Sequence, residues 1–181
     1  MIPSFNLSGV LPPFTGANPT DRPGCSPYRV QVSEVVSRFA TSPERAQLLT
    51  GLLDLRLALA NLGITNGVQW IDGSFVEDTE TIRGRAPADI DVVTLAPRPV
   101  PDQGQWRQMV MQNLTVFSSQ TAKATFGCDH YFLDLQKNPT LLVADTTYFS
   151  GLFGHQRVTS LWKGMLEVPL SSDDSLARVL L

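Results

Sequence analysis

Two aspartates, Asp89 and Asp91, stand one residue apart in the apolar run Asp89-Ile90-Asp91-Val92-Val93-Thr94-Leu95. The β-branched residues predict a strand. Side chains alternate faces along a strand, so both carboxylates share one face while Ile90 points into the core. Two ionised carboxylates side by side repel each other, and partial burial adds a desolvation cost unless a cation compensates. A divalent ion is the natural compensator. Mg²⁺ is commonly held by one or two carboxylates, with substrate phosphates completing its shell. Upstream lies a small-residue turn, Gly73-Ser74. Glycine lets the backbone approach a phosphate closely, and the Ser74 hydroxyl and neighbouring N–H groups can donate to it. Phe75-Val76-Glu77 reads as the first turn of a helix, whose positive end favours an anion.

A third acid would complete such a site. Asp134, in Tyr131-Phe132-Leu133-Asp134-Leu135, is the leading candidate, because acidic residues are uncommon in strand interiors. Asp129 and Asp145 are the alternatives. Arg83 and Arg85, between the turn and the strand, either contact phosphates or are solvated loop charges. His155 reads as a surface or capping histidine, Arg157 and Lys163 either face a triphosphate or, as is usual for cations near a chain end, are solvated, and the three tryptophans read as core or interface residues.

Residues 1–28 form a Pro- and Gly-rich extended arm whose apolar residues can tack it to the body, and 29–181 read as a single domain. A short helix is expected over 33–40. The clearest helix follows: Ser42 caps it, Pro43 suits its first position, Leu48, Leu49, Leu52, Leu55, Leu59 and Leu62 form one apolar face, and Gly63 stops it. Strands are expected at 68–72, 89–95, 130–136 and 140–149, and helical periodicity runs through 105–126. Residues 161–170 carry no clear signal, and a short capped segment closes the chain over 171–181. This order of helices and strands indicates an α/β or α+β fold with helices on a sheet.

The chain has 181 residues, 43% apolar and 17% charged, enough to bury a sizeable core; the charged share lies below the usual value of about 25%. A net charge of −3 argues against a dedicated nucleic-acid coat. Cys25 and Cys128 form neither a disulfide framework nor a zinc pattern and read as reduced thiols of a cytoplasmic protein. No apolar run approaches the roughly 18 residues of a membrane span, and the first residues lack the features of a secretory signal.

Gly73-Ser74 followed by Asp89-Ile90-Asp91 in a hydrophobic strand resembles the nucleotidyltransferase signature of the DNA polymerase β superfamily, over roughly Val68 to Leu135. The N-terminal stretch, the Leu-rich helix and Ile71-Asp72-Gly73-Ser74-Phe75 together also resemble small bacterial nucleotidyltransferase-like proteins. The resemblance implies a mixed β-sheet flanked by helices. Asp89, Asp91 and Asp134 would be catalytic and bind Mg²⁺, two ions during turnover. Gly73 and Ser74 would hold the triphosphate of a nucleoside triphosphate (NTP), with Arg83 and Arg85 as further phosphate contacts. It implies in-line attack of an acceptor hydroxyl on the α-phosphate with release of pyrophosphate; the acceptor would be a protein, an RNA or a small molecule. Fourteen residues separate Ser74 from Asp89, more than the usual spacer, and there is no room for a large base-reading helical domain. That is the form of a minimal nucleotidyltransferase of the kind found beside a partner in toxin–antitoxin or phage-defence pairs. The competing expectation is a binding protein that retains the fold and acts as an antitoxin or complex subunit. Its arm and its apolar C-terminus would grip a protein partner or a second copy as a homo-oligomer.

Overall fold

The computed structural model describes all 181 residues. Five strands form one mixed sheet: β1 (Tyr28–Arg29), β2 (Val68–Asp72), β3 (Ile90–Ala96), β4 (Cys128–Asp134) and β5 (Leu166–Pro169), in the order β1-β5-β2-β3-β4. β3 runs antiparallel to β2 and parallel to β4, and helices flank the sheet.

The longest helix, α2 (Pro43–Asn61), follows the capping signals in its sequence. The Ser42 side chain accepts from the Arg45 N–H, Pro43 opens the first turn, and Gly63 takes the left-handed conformation just past the end. Its leucines join α1 (Val32–Phe39), the terminal helix α8 (Asp174–Val179) and one face of the sheet in a core of 24 buried residues. Ile90 and Val92 belong to that core, whereas Val93 and Leu95 point the other way into a second cluster with Leu133, Phe149, Phe153 and Met165. The period-2 alternation of β3 is therefore divided between two hydrophobic layers, and Asp91 shares the face of Val93 and Leu95.

The segment 140–149 is not a strand. It lies within the helix α7 (Pro139–Phe153), whose start is set by the Asn138 side chain accepting from the Thr140 N–H and by Pro139 in the first turn. Its apolar run reads equally well as strand by composition, and packing of Phe149 and Phe153 on the sheet selects the helix. The helical stretch expected over 105–126 is three helices: α4 (Gln103–Gln112), α5 (Leu114–Phe117) and α6 (Ser119–Phe126). The breaks fall at Asn113 and Ser118, both outside helical backbone angles. Residues 161–170 contain β5.

The arm packs more tightly than its composition suggests. Val10 and Leu11 are fully buried, the Tyr28 hydroxyl donates to the Pro12 carbonyl at 2.7 Å, and the Gly9 carbonyl accepts from the Asp78 N–H at 2.8 Å. No helix is long and apolar enough to cross a membrane.

Candidate functional site

β2 ends where β3 begins, because the two run antiparallel, and β4 begins at the same end because it runs parallel to β3. The register pairs Asp72 with Asp91 and Asp91 with Asp129. Three carboxylates therefore stand in a row on one face across three adjacent strands, with Asp89 one step outside the sheet. Burial, with Asp89 and Asp129 as like-charged neighbours, pushes the Asp91 carboxyl up to about 6. Burial pushes Asp72 up to about 7, against the opposing pull of Lys163.

The Gly73-Ser74 turn closes this row. It forms a short 3₁₀ turn, Gly73–Val76, rather than a full α-helix. Gly73 has a φ of 79°, and a Cβ there would lie 1.8 Å from Asp91 Oδ2. Only glycine suits both the left-handed backbone and this close approach of the carboxylate. Ser74 is half-buried beside it. The backbone behind the turn is held by Arg45 of α2, whose guanidinium donates to the carbonyls of Phe75 at 2.7 Å and Glu77 at 2.8 Å and pairs with Glu80. Glu80 lies at the start of the short helix α3 (Thr79–Arg83).

Lys163 is not a solvated cation. It is 3% exposed, and its ammonium donates to the Gly73 carbonyl at 3.0 Å, to Asp72 Oδ2 at 3.0 Å and to Glu77 Oε1 at 3.1 Å. Three donors meet three acceptors, which compensates the burial of the lysine. Asp72 Oδ1, also buried, has no hydrogen-bond partner.

The register separates Asp134 from the other acids. β4 does lie beside β3, but Asp134 pairs with Ala96 at the far end of the strand, where Arg98 Nη1 is 3.8 Å from its carboxylate. It is five positions beyond Asp129, an odd offset, so its side chain leaves the opposite face of the sheet. Asp129 occupies the place beside Asp91. Asp145 lies in α7, paired with Lys137. Arg83 is committed to Glu77 Oε2 at 2.7 Å, and Arg85 is exposed and in no ion pair. His155 is exposed, with Nδ1 bonded to the Gly151 carbonyl, as expected of a capping histidine.

Sequence reasoning missed Asp72 and Lys163. The position of Asp72, immediately before the glycine of the turn at the end of a strand, was a usable signal. Lys163 had none, because 90 residues of chain separate it from the carbonyl it holds.

Carboxylates are the oxygen donors that a divalent cation takes, and three of them stand at one sheet end; burial first, and like-charged neighbours second, raise Asp91 well above its ordinary value. The acids are not gathered into a ready-made metal cage. Asp89 is paired with Lys123, and Asp129 accepts from the Ser119 hydroxyl at 2.5 Å.

One protein-family profile matches residues 3–169. The chain belongs to DUF6932, a family of unknown function. The matched region takes in the arm, the turn and all five strands, so these features belong to one family unit. No curated protein and no solved structure matches the chain.

Proposed function

We propose that this protein is a divalent-metal-dependent nucleotidyltransferase, moving a nucleoside monophosphate from an NTP to an acceptor hydroxyl. The observation that carries the reading is the alignment of Asp91 and Asp129, with Asp89 beside them, against the Gly73-Ser74 turn. Asp89, Asp91 and Asp129 would hold Mg²⁺, with Asp129 in the part that the resemblance gave to Asp134. Once bound, the metal supplies charge stabilisation to the attacking and leaving oxygens. The turn presents backbone N–H groups and the Ser74 hydroxyl to the triphosphate. Arg45 and Lys163 fix the turn, so its donors are aimed before substrate arrives. The acceptor oxygen forms a bond to the α-phosphorus, the bond from that phosphorus to the bridging oxygen of the β-phosphate breaks, pyrophosphate leaves, and the hydroxyl proton passes to a carboxylate of the cluster.

The test is calorimetric titration of NTPs with and without Mg²⁺, followed by pyrophosphate release. Asp91→Asn and Asp129→Asn should each abolish Mg²⁺-dependent NTP binding and turnover, while Asp134→Asn keeps both. Equal loss in Asp129→Asn and Asp134→Asn, with both folded, would refute the assignment of the third acid. No binding by the folded wild type would refute the enzyme reading.

A second reading, a partner-binding protein of the same fold, is favoured by one feature. Leu141, Tyr148 and Leu152 share one face of α7 and are between 47% and 62% exposed. Such a strip of large apolar side chains on one helix suits a protein contact.

A further inference from the structure

Helix α6 packs mainly on β4, α5 and α2 through its fully buried Ala122, and from there it reaches two of the acids at the sheet end. Ser119 and Lys123 are one helical turn apart, so they share a face. That face meets the two acids that flank Asp91: the Ser119 hydroxyl donates to Asp129 Oδ1, and the Lys123 ammonium pairs with Asp89 Oδ2. Lys123 is thus a cation seated directly on the carboxylate of Asp89, which stands one residue from Asp91 in the same strand run. The Lys123 side chain is 51% exposed and that of Asp89 17% exposed, so the lysine can leave for solvent while the carboxylate cannot follow it.

Resting on the metal-dependent reading above, we propose that Lys123 is a resident counter-ion. It occupies the Asp89 carboxylate in the metal-free protein and is displaced by the divalent ion that binds there. A carboxylate oxygen paired with an ammonium is not free to ligate a metal, and a metal bound beside that ammonium would suffer like-charge repulsion. The two cations therefore compete for one carboxylate. The competition has two consequences. The carboxylate row is kept from full self-repulsion while no metal is present, and metal affinity is set below what the acids alone would give. Lys123 acts through Asp89 and is a positioning residue, not a catalytic one.

The experiment measures Mn²⁺ affinity by electron paramagnetic resonance on the full chain as wild type, Lys123→Gln and Lys123→Arg. Removing a half-exposed competitor should tighten Mn²⁺ binding roughly threefold to tenfold in Lys123→Gln, while Lys123→Arg, which keeps the competing charge, stays near wild type. A second measurement needs no variant. Wild-type protein is treated with an amine-acetylating reagent with and without Mn²⁺, and Lys123 acetylation is read by mass spectrometry. Lys137, paired with Asp145 beyond the opposite end of β4, serves as the internal control. Lys123 labelling should rise with Mn²⁺ and Lys137 labelling should not. If Mn²⁺ binds wild type and Lys123→Gln equally, or the variant more weakly, and Lys123 labelling does not change, the counter-ion role is wrong and the metal site stands. If neither protein binds Mn²⁺, the metal-dependent reading falls and this inference falls with it.

Discussion

Replacing Asp91 with asparagine should make the protein more stable above neutral pH, an unusual outcome for a residue inside a strand pairing. In the folded chain the Asp91 carboxyl is raised from 3.8 to about 6, by burial first and then by Asp89 and Asp129. The folded state therefore holds this proton more tightly than the unfolded state. Stability from this group is fully present below about pH 4 and is lost as pH rises through 6. A shift of about two units at 1.36 kcal/mol each corresponds to roughly 3 kcal/mol of strain in the ionised folded state. Asparagine carries no charge and retains the size and an acceptor oxygen, and its amide can donate to Asp89 or Asp129. Urea melts at pH 8 should place Asp91→Asn above wild type by up to about 3 kcal/mol, a rise of roughly 6–12 °C in Tm for a chain of this length. At pH 4 the difference should close. Adding Mg²⁺ at pH 8 should stabilise wild type and leave the variant unmoved. Equal destabilisation of Asp91→Asn at both pH values would show that the carboxylate is a satisfied structural group and would refute the electrostatic reasoning behind the site.

Three further outcomes are expected. Gly73→Ala introduces a Cβ 1.8 Å from Asp91 Oδ2 at a φ of 79°; the left-handed strain and the overpacking together should cost roughly 2–4 kcal/mol, and a Tm within a degree of wild type would contradict the close approach. Lys163→Met leaves Asp72, Glu77 and the Gly73 carbonyl without their buried donor, a loss of about 3–5 kcal/mol in chemical denaturation at pH 8. The loss should shrink at lower pH as Asp72, raised to about 7, takes up a proton. His130 is fully buried between the Val116 carbonyl, 2.7 Å from Nδ1, and Thr94 Oγ1, 2.8 Å from Nε2; burial lowers its pKa to about 4, so its ring resonances should stay those of the neutral Nδ1–H form from pH 8 to pH 5 in NMR titration.

Much of this protein is legible in the chain. The cap, proline and leucine spacing of α2 mark its start, its buried side and its end, because those signals are local and act within a turn or two. The alternation around Ile90 and Val92 marks β3, and it places Asp89 and Asp91 on one face for the same reason. Gly73 announces a turn that needs a left-handed residue. Local signals are weaker where two structures satisfy the same composition. The apolar stretch within Pro139–Phe153 suits a strand or a helix, and only the layer it packs against selects the helix. The third acid is a clearer case. Asp129 and Asp134 lie in one strand with similar neighbours, and the choice between them depends on register, a property of two strands together. Because the strand period is two, an offset of five sends Asp134 to the far end and to the other face. Lys163 and Lys123 show the same limit. Each finds its carboxylate through folding of the whole chain, since charge pairs across the sheet and between helices are set by tertiary distance and not by sequence spacing. The sequence determined which groups could do chemistry; the tertiary structure decided which of them meet.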